Sequence, residues 1–171
     1  MSSLLEFDAS RVEDISREPK VSRKDLPREI THTITMVPTN YLNSLWPDVR
    51  DQLARAVKRS HGRWSLEFLY ASILNNNQQL WVAFDKDHNI DGVGTTEIIQ
   101  YPEKRMVVVQ FLGGDRFNDW VWDMLERFKD WGKDNNCSGI EATARMGFWK
   151  WLEQDGFSRS YVVYERSLED G

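Results

Sequence analysis

Gln79-Leu80-Trp81-Val82-Ala83-Phe84, then Asp85-Lys86-Asp87-His88-Asn89, then Ile90-Asp91-Gly92-Val93-Gly94: this stretch decides the architecture. An apolar run, a cluster of turn-forming residues and a second run that continues to Tyr101 read as a β-hairpin. Pro102-Glu103-Lys104 makes a second turn, and residues 105–112 supply a third strand. Gly113-Gly114-Asp115 then breaks the chain, and the period of the apolar residues changes from strand-like to helical. Phe117, Trp120, Val121, Met124, Leu125, Phe128 and Trp131 fall on one face of a helix over 118–132. Asn118 is its expected N-cap and Gly132 its expected C′ residue.

Working outward from this centre, residues 30–37 alternate as a strand. Leu42, Leu45, Trp46, Val49, Leu53, Ala56 and Val57 line a helix, with Pro47 in its first turn, where a missing N–H costs little. A second helix fits 65–74. On the other side, 138–144 is a strand, 148–154 a short helix, Gly156 a stop and 159–167 a last strand. The order β-α-α-β-β-β-α-β-α-β predicts an α/β (α+β) fold: a mixed central sheet with helices on both faces.

The chain has 171 residues, with 8 Trp, 8 Phe and 5 Tyr, enough for one domain with a real core. No apolar run approaches the roughly 20 residues of a membrane span, and no signal peptide is visible. A single cysteine, Cys137, fits a reducing, cytoplasmic setting. The formal charge of −5 argues against general nucleic-acid binding. Residues 1–30 differ from the rest. They are densely charged with mixed sign, carry Pro19 and Pro27, have no aromatic after Phe7, and hold Leu4, Leu5 and Phe7 at the tip. Two parts are therefore expected: a charged arm, 1–30, and a domain, 31–171. The arm is expected to reach a protein partner or another copy of the chain through Leu4, Leu5 and Phe7.

Over residues 33–168 this order resembles the GNAT superfamily of acyl-CoA-dependent N-acyltransferases. The quoted hairpin is similar to the family's second and third strands. Gly132-Lys133 followed by Ser138-Gly139-Ile140-Glu141-Ala142 resembles the passage into its fifth strand. Trp151-Leu152-Glu153-Gln154-Asp155-Gly156-Phe157 resembles its helix-to-strand ending in Gly-Phe. The resemblance implies a fourth strand that splays from the fifth. A Gln/Arg-x-x-Gly-x-Gly/Ala loop should follow, whose N–H groups hold the pyrophosphate of coenzyme A at a helix N-terminus. Two registers are open here. Gln110-Phe111-Leu112-Gly113-Gly114-Asp115 puts a carboxylate in the last small-residue slot, and Arg116-Phe117-Asn118-Asp119-Trp120-Val121 loses both glycines. If coenzyme A binds, Gly113, Gly114 and Arg116 are the groups to hold it, with Asp115 and Asp119 opposing.

Acyl transfer to an amine needs a base for the amine proton and an acid for the leaving thiolate. Where many family members carry a tyrosine, this chain has Leu152, and Arg145 stands where an asparagine is frequent. Glu97 and Glu141 remain as isolated candidate bases, and Tyr164 or Tyr161 as hydroxyls. His32, His61 and His88 are too dispersed for a metal site, and Cys137 lies in a polar run with no histidine nearby. Lys58-Arg59-Ser60-His61-Gly62-Arg63 reads as a solvated helix end. Trp122 and Trp149, off the main apolar faces, suggest an interface.

These readings together favour a GNAT-like scaffold, non-catalytic or weakly catalytic, that acts as a structural or interaction protein and needs no cofactor. Similarity to degenerate GNAT-like domains among small virion proteins of tailed phages implies a place in a phage particle. The alternative is an acetyl-CoA-dependent N-acetyltransferase with a divergent pyrophosphate loop.

Overall fold

The computed structural model describes residues 29–169. They fall into two compact units, 29–148 and 149–169. The first contains β1 (His32–Met36), α1 (Leu42–Lys58), α2 (Leu66–Leu74), β2 (Gln79–Asp85), β3 (Ile90–Gln100), β4 (Arg105–Gly114), α3 (Phe117–Asp134) and β5 (Gly139–Ala142). The second opens with α4 (Trp149–Leu152) and continues without regular structure.

The strands form one sheet in the order β1-β2-β3-β4-β5. Pairing is antiparallel through β4, and β4 pairs with β5 in parallel. Successive strand residues point to opposite faces, and both faces are apolar. Leu80, Val82, Val93 and Phe111 meet Val49, Leu53 and Val57 of α1 and Leu69 and Ile73 of α2. On the other face, Trp81 stacks edge-on to Phe128 and Trp131 of α3. The expected mixed sheet with helices on both faces is what the chain builds.

Two glycines set how closely α3 approaches the sheet. A Cβ on Gly92 would lie 2.4 Å from the Trp120 ring, and one on Gly132 would lie 2.8 Å from Val107 Cγ2. Gly132 therefore sits inside α3 as a contact point rather than after it as a stop. The left-handed residue that follows the helix is Asn136, at φ 61°. At the other end α3 begins at Phe117, and its N-cap is Arg116 in the left-handed region, not Asn118.

Other expectations need correction. Pro47 stands in the second turn of α1, where its missing N–H leaves a helical carbonyl without its usual partner. Trp122 is 2% exposed and belongs to the core. Trp120, Val121 and Trp122 are all buried, so α3 is covered over an arc of about 200° at 3.6 residues per turn, wider than a single apolar stripe. The strand expected over 159–167 is absent, and Tyr161, Val162, Val163 and Tyr164 are exposed. Their β-propensity has no ladder to join among the described residues, and propensity without a partner strand does not make a strand. Trp149 is half-buried, with the Arg159 guanidinium 4.4 Å from its ring centroid. Residues 1–28, with Leu4, Leu5 and Phe7, lie outside the described residues.

Replacing Gly92 by alanine should force Trp120 off its seat over β3. Overpacking of this kind costs about 1–3 kcal/mol. Chemical denaturation should show a loss in that range, while a wild-type midpoint would mean that the α3–sheet contact is loose.

Candidate functional site

Strand β4 has two edges with different fates. Toward β3 it is paired along its whole length, from Gln100↔Arg105 to Gly92↔Gly114. Toward β5 it is paired only at residues 106–109. Beyond Val109 the two parallel strands part, and among the described residues no strand covers the β5-side edge of residues 110–114. The fork coincides with a bulge: Thr96 faces Val109, Thr95 faces Phe111, and Gln110 is the extra residue. Bulges bend a strand locally and re-aim side chains, so the irregularity lies where the edge opens.

Both candidate bases stand beside this fork. Glu97, Val108 and Glu141 are register partners across β3, β4 and β5, so they form one row on one sheet face. Two strand spacings of ~4.8 Å put the two acids about 10 Å apart along the backbone. Neither is isolated. Gln110 Nε2 donates to Glu97 Oε2 at 3.1 Å, and Tyr101 Oη donates to Glu141 Oε1 at 2.6 Å. Both carboxylates are half-buried. Tyr164 is 90% exposed and outside this row.

The turn from β4 into α3 is held by Asp91. Its backbone oxygen accepts from the Asp115 N–H at 2.7 Å. Its buried carboxylate accepts from His32 Nε2 at 2.7 Å and from Arg116 Nη2. Arg116 also reaches Asp85 Oδ2 at 3.3 Å. Gly114 has φ 139°, and a Cβ there would fall 2.0 Å from the Asp91 oxygen, so only glycine fits. Trp120 Nε1 donates to the Asp115 oxygen at 2.7 Å and closes the turn. The start of α3 at Phe117 places the second loop register inside the helix, leaving Gln110-Phe111-Leu112-Gly113-Gly114-Asp115 at the turn. Arg116, expected to meet a ligand, is instead committed to two carboxylates, which hold its guanidinium pKa above the ordinary range, Asp91 most strongly.

Behind this turn lies a cavity of about 160 Å³ between α1 and the end of β4. Gln52, Arg55, Ala56 and Arg59 line one side, and Leu112, Gly113, Gly114 and Asp115 the other. A Cβ on Gly113 would be 3.4 Å from the Gln52 carbonyl oxygen, so the helix backbone is close to the strand here. Sequence reasoning missed Arg55 and read Arg59 as part of a solvated helix end. Their i, i+4 spacing gave the shared helix face, but nothing local told what that face looks toward. Elsewhere, no group of His, Cys, Asp and Glu among the described residues is arranged to hold a metal ion, and no described helix is long and apolar enough to cross a membrane.

No family model matches the chain, and no curated protein does. Solved structures do. A ribosomal-protein-alanine N-acetyltransferase of Brucella melitensis biovar Abortus 2308 superposes with a TM-score of 0.62 at 14% identity, over 81% of this chain and 99% of that one. The fold is the GNAT fold. A predicted acetyltransferase of Clostridium acetobutylicum, solved with acetyl-CoA, gives 0.60 at 16% identity, over 80% and 96%. Glucosamine-6-phosphate N-acetyltransferase of Arabidopsis thaliana gives 0.60 at 14%, over 81% and 99%. At these identities the likeness is one of fold, and in that GNAT fold the splay expected between the fourth and fifth strands is present here.

The Asp85–Arg116–Asp91 cluster has an acid signature. Backbone N–H donation from Asn89, followed by further donors and Arg116, holds the Asp85 carboxyl below its ordinary 3.8. With the folded pKa depressed, the stabilisation is complete above about 3.8 and is lost as pH falls through the lower folded value. Asp85→Asn should therefore flatten the acid limb of a stability–pH profile below that point. A profile identical to wild type would show that the cluster does not contribute to acid stability.

Proposed function

We propose that this chain is an acyl-CoA-dependent N-acyltransferase that uses the β4–β5 fork as its thioester site and Glu97 as its base. The observation that carries the reading is the coincidence at one place of the open β4 edge, the Gln110 bulge and a half-buried carboxylate. An acyl-CoA supplies an activated acyl group on an extended amide-bearing arm. The uncovered edge of residues 110–114 offers backbone donors and acceptors suited to such an arm.

Glu97 has one oxygen, Oε2, fixed by Gln110, which leaves Oε1 to accept the proton of an attacking amine. Glu141, held by Tyr101, contributes a second negative charge on the same row and favours an amine that arrives as a cation. The leaving group is a thiolate, and with no side chain assigned as its acid its proton comes from water. Leu152, standing where the family's tyrosine is expected, cannot supply that proton.

One observation favours the scaffold reading. Arg116 is withdrawn from the turn, and Asp115 places a carboxylate at it. At an effective dielectric near 20, a like charge at ~4 Å opposes an anion by up to ~4 kcal/mol.

Titration with acetyl-CoA and turnover on a panel of amines separates the two. The enzyme reading expects measurable binding, and it expects Glu97→Gln to keep that affinity while lowering turnover by about 100-fold or more. Absence of binding at low-millimolar acetyl-CoA would leave the scaffold.

A further inference from the structure

We infer that the cavity between α1 and the end of β4 is a binding site for a phosphate or diphosphate group, with Arg55 and Arg59 as its cations. The inference deepens the acyl-CoA reading by naming which charged groups meet the diphosphate end. It differs from the expectation for this fold in taking the charge from α1 rather than from the turn that precedes α3.

Four observations converge on it. Arg55 and Arg59, one helical turn apart, both line the cavity. Neither guanidinium has an acidic partner among the described residues; the neighbouring Arg50 pairs with Asp51 instead. Like charges at i, i+4 disfavour a helix slightly. The α1 dipole accounts for basic residues in its last turn, but not for two of them lining one cavity with a pair of glycines.

The middle of the opposite wall is backbone, between Leu112 and Asp115. Gly113 and Gly114 present no side chain, and a methyl on Gly113 would reach to 3.4 Å from the Gln52 carbonyl. Third, the Gln52 side-chain oxygen is fully covered and has no hydrogen-bond partner. A half-turn of this amide exchanges its oxygen for an N–H₂ donor, and a small shift of the side chain into the cavity would present that donor to an anion. An unsatisfied buried polar atom is costly enough to call for such a partner.

Fourth, size limits the ligand. About 160 Å³ is small against the roughly 300–1,000 Å³ of pockets that enclose whole ligands. The cavity takes a charged end and leaves the rest of the molecule outside. Two guanidiniums against the single Asp115 carboxylate leave a net positive lining. The chemistry selects a compact oxyanion with several acceptors, which arginine forks match well.

Calorimetry with inorganic pyrophosphate, alongside acetyl-CoA, tests the site directly. Wild-type protein should bind pyrophosphate. Arg55→Gln and Arg59→Gln should each weaken it about tenfold, as expected for the loss of one charge-assisted hydrogen bond. Asp115→Asn should tighten it. The arginine variants should melt near wild type, because both side chains are exposed, so a loss of binding will not reflect unfolding. Unchanged pyrophosphate affinity in the double arginine variant would overturn the proposal, as would wild-type protein that does not bind pyrophosphate at low-millimolar concentration. If pyrophosphate binds through the arginines and acetyl-CoA does not bind, the anion site stands and the acyl-transfer reading falls. If the double variant binds both pyrophosphate and acetyl-CoA as well as wild type, the anion site falls and the acyl-transfer reading stands.

Discussion

Asp91 holds together the part of the molecule on which every functional statement depends. Its backbone oxygen fixes the Asp115 N–H, and its carboxylate joins His32 at the start of β1 to Arg116 at the start of α3. A buried carboxylate is tolerable only with such partners. Once it has them, the turn after β4 has little freedom: Gly114 must be glycine, Arg116 takes a left-handed conformation, and Trp120 lies over Gly92. The anchor holds the end of β4 and the start of α3 against β3, on the edge opposite the fork.

The same anchor explains how the turn differs from the arrangement implied by the family resemblance. An arginine near a helix N-terminus invites the reading that it waits for phosphate. Here that arginine neutralises a protein carboxylate, and the unpartnered guanidiniums are on the other side, on α1. A carboxylate at Asp115 is easier to reconcile with anion binding when two arginines line the cavity with it.

What could be read from the sequence, and what could not, divides along range. The hairpin around Trp81 and Gly94 and the apolar faces of α1 and α3 are written within a few residues each, and the structure has them. The partners of Asp91 lie 59 and 25 residues away, so its role was invisible. Glu97 and Glu141 were visible as acids on strands, but their common row required the β3–β4–β5 register, which a bulge at Gln110 shifts by one. Trp122 was misread because a narrow stripe was assumed for a helix buried over a wide arc. The run Tyr161-Val162-Val163-Tyr164 carries a strong local signal that no neighbouring strand completes among the described residues.

We propose above that the uncovered edge of β4 and the cavity between α1 and the end of β4 together receive an acyl-CoA. Backbone and arginine side-chain NMR during titration with acetyl-CoA reports on both places at once. Binding at both places should give saturable shifts at the amides of residues 110–114 and at the Nε–H groups of Arg55 and Arg59, with one common dissociation constant. Spectra that stay unchanged through low-millimolar acetyl-CoA, or shifts confined to other parts of the chain, would contradict it.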